Sequence, residues 1–167
     1  MPATIKTDPY AAYVRALTLG VVTGLRSQTS LAAIALAAQP DGPFAALAQA
    51  PTPWRLIATQ QGLLASTLAA AGEYVGDKLS ITPDRTKPLP LLGRLAFGAL
   101  AGALACRALG QSQALGGALG ALGALGGSFG GYTYRVQVAR LTGAPDLPLA
   151  LAEDATAVIV ALVATRA

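Results

Sequence analysis

Five long apolar segments constrain the fold of this 167-residue chain more than any other feature of its sequence. A helix that crosses a bilayer needs about 20 predominantly apolar residues. The segments that meet this requirement are Tyr10–Ala38, Trp54–Val75, Leu91–Leu109, Gln113–Ala139 and Leu147–Ala164. The stretches between them contain the Pro, Gly and Asp residues that end helices. The sequence therefore predicts an all-α, polytopic helical membrane protein with about five transmembrane helices in a single membrane domain.

The composition agrees with a bilayer environment and excludes several kinds of site. Charged residues make up 12% of the chain, whereas soluble domains carry about 25%. The chain has no His and a single Cys, Cys106. An intrachain disulfide, a metal site built from His and Cys, and imidazole catalysis are therefore excluded. We expect no cofactor, no metal and no nucleic-acid partner, because the net charge of +4 comes mostly from basic residues at the ends of the spans.

Basic residues in the predicted loops indicate the orientation of the chain, because cytoplasmic loops carry the excess of Lys and Arg. One side of the membrane would hold Lys6, Arg15, Lys78, Arg85, Lys87, Arg94 and Arg140. The other side would hold Arg55, Arg107 and Arg166. This asymmetry predicts a multi-pass protein of the cell inner membrane with a cytoplasmic amino terminus.

Charged residues inside the apolar segments are the candidate functional residues. Each costs about 2.5 to 3.5 kcal/mol in the hydrocarbon region, so such residues face a bundle interior or a watery cavity and usually pair. Polar neighbours accompany them in the first and fourth segments. The predicted substrate-binding residues are Arg26, Gln28, Glu73, Asp77, Tyr134, Arg135, Gln137, Glu153 and Asp154.

An Arg-x-Gln pattern occurs in both halves of the chain. Arg26 and Gln28 precede Glu73 on the next span, and Arg135 and Gln137 precede Glu153 on the next span. The half-repeats would cover 10–80 and 112–166, linked by the span 91–109. Because one span separates them, the second half would be inverted relative to the first. In secondary transporters with inverted repeats, the substrate site lies between the halves.

Glycines four residues apart favour close approach of two helix backbones. The predicted packing positions are Gly20, Gly24, Gly98, Gly102, Gly123, Gly127 and Gly131. These faces are also candidates for contacts in a homodimer or higher oligomer. Two alternatives are open: chance spacing in an Ala-Leu-Gly tract, and a break of the fourth helix at paired glycines of residues 126–131.

Three short motifs resemble a known family. They are Gly24-Leu25-Arg26, Glu73-x-x-x-Asp77-Lys78 and Glu153-Asp154. Together they are similar to the small bacterial membrane proteins catalogued as domain of unknown function 4126, over about Leu17 to Leu162. The resemblance implies a membrane location and carries over to the charged residues of the three motifs. It implies no activity.

Three functional interpretations remain open. The first is a transporter or channel for a small polar or charged solute, with the arginines binding an anionic group. The second is a structural or assembly subunit in which the same charges form salt bridges that fix the helix register. The third, an enzyme using Glu73 and Asp77 as an acid–base pair, is the least favoured, because no nucleophile or phosphate loop accompanies these carboxylates.

Overall fold

The computed structural model describes residues 8–76, 87–143 and 145–166. This part of the chain is all-α and contains no β-strand, which confirms the predicted fold class. Its helices, in chain order, are α1 (Pro9–Leu25), α2 (Thr29–Ala37), the short 3-10 helices Ala45–Gln49 and Trp54–Ala58, α3 (Gln60–Gly76), α4 (Pro88–Ala108), α5 (Gln113–Thr142) and α6 (Asp146–Thr165).

The first predicted segment, Tyr10–Ala38, is two helices. Arg26, the residue after α1, is extended with φ −139° and ψ 109°, and α2 begins at Thr29. The prediction of one continuous helix was wrong here. Hydropathy measures only how apolar a segment is, whereas the break depends on polar groups from other helices that bond the freed backbone.

The second predicted segment, Trp54–Val75, is also interrupted. Its first turn is a 3-10 helix, after which Thr59 is extended with ψ 159°. The Thr59 side-chain oxygen accepts a hydrogen bond of 3.0 Å from the Gly62 amide. This N-cap arrangement satisfies an amide of the first turn, so α3 begins at Gln60.

The remaining three predicted segments correspond to single helices. α4 and α6 match Leu91–Leu109 and Leu147–Ala164 to within a few residues. α5 runs without interruption through its paired glycines. The alternative of a broken fourth helix was therefore wrong.

Glycines bring α5 into backbone contact with α1 on one side and α4 on the other. A Cβ atom on Gly24 would overlap backbone atoms of Ala124 and Ser128 in α5, and one on Gly127 would overlap the Val21 carbonyl in α1. Further glycines at these two contacts are Gly20, Gly98, Gly102, Gly116, Gly120 and Gly123. Gly131 lies further along α5 and is partly exposed. The three helices therefore form one closely packed unit.

Two helices of the described residues are long and apolar enough to cross a membrane, judged by length and composition. They are α4, with a mean hydropathy of 1.7, and residues Leu147–Thr165 of α6, with 1.9. The core helix of a soluble protein can have the same properties, so these helices give weak support for membrane association. The prediction of five spans is not confirmed.

Candidate functional site

The break between α1 and α2 leaves several backbone groups without their helical partners. In a continuous helix, the amides of Ser27 and Gln28 would donate to the carbonyls of Thr23 and Gly24, four residues earlier. Buried backbone groups that lose such bonds must find other partners. Side chains from three other helices supply them, and these contacts define the candidate site.

Glu73, near the end of α3, binds the two freed amides. One carboxylate oxygen accepts from the Ser27 amide at 2.7 Å and from the Ser27 hydroxyl at 2.8 Å, and the other accepts from the Gln28 amide at 2.9 Å. The carboxylate thus lies at the amino-terminal end of α2, where the helix dipole favours negative charge.

Arg94, in α4, binds the two freed carbonyls. Its guanidinium donates to the Gly24 oxygen at 3.0 Å and more weakly to the Thr23 oxygen at 3.4 Å. The Ser128 hydroxyl of α5 also donates to Gly24, at 3.3 Å. A cation here complements the negative end of the α1 dipole.

Arg94 and Glu73 also face each other, with 3.6 Å between a guanidinium nitrogen and a carboxylate oxygen. The pair therefore supplies new partners for two of the lost helical hydrogen bonds, with the carboxylate replacing two acceptors and the guanidinium replacing two donors. Arg94 is only 7% exposed. Side chains of α3 and α4 therefore stabilise the break, because they bind the backbone groups at the end of α1 and the start of α2.

Arg26 lies in the break itself and binds a carboxylate of α6. Its Nε atom donates to Asp154 at 2.5 Å, and its side chain is 2% exposed. Its guanidinium carbon is 5.9 Å from the centre of the Tyr74 ring. The Tyr74 hydroxyl shares a 2.7 Å hydrogen bond with Thr29 at the start of α2. Arg26 thus links the break to both α3 and α6.

The predicted residues of the second half lie partly beside this cluster. Arg135 and Glu153 are 3.9 Å apart, with side-chain exposures of 27% and 9%, and Glu153 is the neighbour of Asp154 in α6. The side chains of Tyr134 and Gln137 are exposed on α5. The two predicted halves of the chain meet here through Arg26 and Asp154 and elsewhere through the glycine contacts of α1 and α5. α1 and α5 run parallel, with Gly20 against Gly120 and Gly24 against Gly127, so the predicted inversion of the second half is not confirmed.

The structure adds Arg94, Tyr74 and Ser128, which the sequence analysis did not select, and one selected residue falls outside the described part of the chain. Arg94 was interpreted only as a topology-setting charge beside a span, and Tyr74 was not selected. The position of Arg94 within the apolar stretch of α4 was the signal that could have identified it. Gln28 takes part through its backbone amide, and its side chain is partly buried. Asp77 lies outside the described residues.

The cluster formed by Arg26, Glu73, Arg94 and Asp154, called here the break cluster, has two positive and two negative side chains. Such a set can be accommodated in an apolar bundle, because each side chain has an oppositely charged partner. Among residues 8–76, 87–143 and 145–166, no group of three or more His, Cys, Asp or Glu side chains is placed to hold a metal ion.

No protein-family model matches the chain, and no curated protein or solved structure matches it. The resemblance to domain of unknown function 4126 therefore remains a prediction from the three sequence motifs.

Proposed function

We propose that this chain is a multi-pass protein of the cell inner membrane that moves a small polar or charged solute, as a transporter or channel, through the break cluster. The observation that carries the proposal is the broken helix, whose two ends meet four charged side chains. Secondary transporters use discontinuous helices in the same way, with helix amino termini facing anionic substrate groups and carbonyl ends facing cations.

The distribution of side chains over the molecule supports a bilayer environment. The most informative burial patterns are buried polar groups and large exposed apolar ones, and this chain has both. Arg26 is 2% exposed, whereas Leu89 and Leu141 are 81% and 86% exposed. The exposed apolar side chains would be unfavourable in water, whereas in lipid they face the hydrocarbon while the charges pair within the bundle.

The proposed topology keeps the amino terminus in the cytoplasm, with α1, α3, α4, α5 and α6 as the membrane-crossing helices. α4 runs antiparallel to α1, because Arg94 binds the end of α1 and Cys106 lies near its start. α2 turns back beside α1 and does not extend it, because the Ser30 hydroxyl donates to the Leu19 carbonyl. α1 alone has 17 residues and would be about 26 Å long, slightly less than the hydrocarbon core of about 30 Å. The break cluster, at the end of α1, would then lie toward one face of the membrane.

The solute that fits this site best carries a small anionic group. Such a group would replace the Glu73 carboxylate at the amides of Ser27 and Gln28 and beside Arg94, since it offers the same acceptor oxygens. Glu73 would then take up a proton or a cation. Exchange of this kind would couple solute movement to a second ion.

Reconstitution into proteoliposomes tests the proposal. We would measure solute-driven current for a panel of small anions, cations and amines, with Arg26→Gln and Glu73→Gln as site variants. Arg55→Gln is the matched control, because it removes the same charge from an exposed position. Loss of current in both site variants, with helicity retained and the control active, would support transport through the break cluster.

Current that persisted unchanged in both site variants would refute it. Silence of the wild-type protein across the whole panel, with both site variants unfolding more easily, would favour the second candidate function.

That second candidate is a structural or assembly subunit without a substrate. It is favoured by the close pairing of Arg26 with Asp154 and by a glycine face on α5 that is open. A Cβ added to Gly126 or Gly130 meets nothing within 4 Å, whereas Gly123 and Gly127 already contact α1. Larger side chains should therefore be introduced on this open face. Gly126→Leu with Gly130→Leu should abolish the oligomers seen by native mass spectrometry. Unchanged assembly would exclude this face as the contact.

A further inference from the structure

A second polar site lies at the far end of α4 from the break cluster. Arg107 follows Arg94 by 13 residues, which corresponds to about 20 Å along a helix. Arg94 binds carbonyls at the end of α1, whereas Cys106, the neighbour of Arg107, lies 3.9 Å from the Ala12 carbonyl near its start. The two arginines therefore mark opposite ends of the bundle.

Arg107 lines a cavity of about 330 Å³ between the first 3-10 helix and the α4–α5 turn. Three glutamines, Gln49, Gln111 and Gln113, also line it, together with two alanines and a glycine. Carboxamides and a guanidinium offer several hydrogen-bond donors to one small volume. No acidic residue belongs to the lining.

The Arg107 guanidinium lies over an aromatic ring, and one of its N–H donors has no hydrogen-bond acceptor among the described residues. It lies over the Trp54 ring, 5.9 Å from its centre, a distance at which a cation is attracted to the aromatic face. Its Nε atom is buried and has no hydrogen-bond partner among the described residues. A buried donor without an acceptor is costly, so Arg107, which lines the polar cavity, carries one N–H whose hydrogen-bonding capacity is unused.

The start of α5 adds positive potential to the same cavity. Ser112 is the N-cap of α5 and Gln113 its first residue, so the Gln113 side chain lines the cavity at the positive end of the helix dipole. Helix amino termini favour anions, and phosphate in particular. This feature agrees with the unpartnered Arg107 but would not define a site alone.

We infer that this cavity binds a phosphate-bearing anion, with Arg107 as the principal ligand and the glutamine carboxamides as further donors. A guanidinium binds phosphate oxygens through directed, charge-assisted hydrogen bonds. The phosphate could belong to a free ion or to a lipid headgroup. The volume is in the range of sites for small organic ligands and therefore has room for a headgroup beyond the phosphate itself.

The chain carries its own reporter for this site, because Trp54 is its only tryptophan. We would titrate the full-length protein in detergent with inorganic phosphate and follow Trp54 fluorescence. In a second arm, the protein would be placed in phosphatidylcholine bilayers with increasing phosphatidylglycerol. A saturable signal in both arms would mean that phosphate suffices, and a signal only with phosphatidylglycerol would identify a headgroup site. Either result supports the inference.

Arg107→Gln should weaken the apparent affinity by about tenfold or more, since a charge-assisted hydrogen bond is lost. Arg140→Gln, which removes the same charge from an exposed position at the other end of α5, should change it by less than about twofold. If Arg107→Gln did not fold, Gln113→Leu would test the same cavity with the guanidinium intact. The inference is overturned if neither arm saturates, or if the cavity variants bind as tightly as the Arg140 variant.

Discussion

Two adjacent glycines in α5 offer the sharpest test of the packing described above. A Cβ on Gly127 would overlap the Val21 carbonyl of α1, whereas one on Gly126 meets nothing within 4 Å. Alanine substitution at either position makes the same chemical change in the same helix. We expect Gly127→Ala to destabilise the protein and Gly126→Ala to leave it as stable or slightly more so.

The expected magnitudes follow from competing effects. Alanine is favoured over glycine inside a helix by about 1 kcal/mol, and at Gly126 this gain stands alone. At Gly127 the methyl group must push α1 and α5 apart by about 1 Å, a gap that forfeits up to half of the attraction of each contact. Overpacking of this kind costs about 1–3 kcal/mol, and here it affects a whole helix pair. Because the helix-propensity gain is common to both variants, we expect their free energies of unfolding to differ by the overpacking cost alone, about 1–3 kcal/mol.

The measurement is reversible unfolding in mixed micelles with increasing sodium dodecyl sulfate, followed by far-ultraviolet circular dichroism. Wild type, Gly126→Ala and Gly127→Ala would be compared at one protein concentration, so that oligomer formation does not bias the comparison. Equal stability of the two variants would refute the close approach of α1 and α5. So would a Gly126 variant that is the less stable of the two.

Two further predictions concern the break cluster. Glu73→Gln should leave one of the amides of Ser27 and Gln28 without an acceptor, so that amide should exchange hydrogen at least about tenfold faster; unchanged exchange at both amides would contradict the role assigned to the carboxylate. Removing one member of the pair Arg26–Asp154, by Arg26→Met or Asp154→Leu, should cost about 3–5 kcal/mol of unfolding free energy, and the double variant should recover much of it because no buried charge is then left alone. Additive losses in the double variant would show that the two side chains do not depend on each other.

Much of the helical architecture could be predicted from the sequence, because three of the five apolar segments coincide with single helices. α4, α5 and α6 are bounded by Pro, Ser and Gly residues that end helices by local chemistry alone. The break at Arg26 has no such local signal. It depends on Glu73 and Arg94, which are distant in sequence and supply the backbone partners that the helix gives up.

The candidate site was predictable as a set of residue types and not as a set of contacts. The free-energy cost of placing a charged side chain in an apolar environment depends on the residue type. Arg26, Glu73 and Asp154 could therefore be selected from the hydropathy of their segments alone. Their pairing depends on how the helices are arranged. Arg94 was missed because its position beside a loop has an ordinary explanation, the orientation of the chain.

The glycine contacts divide the molecule into parts with different mechanical properties. α1, α4 and α5 touch backbone to backbone, which leaves little room for one to slide past another. α2, α3 and α6 meet this unit in part through the side chains of the break cluster. Polar contacts between side chains can exchange partners without opening a packed interface. Residues 26–28 connect this closely packed unit to α2, and any change in the charge of the break cluster acts directly on that connection.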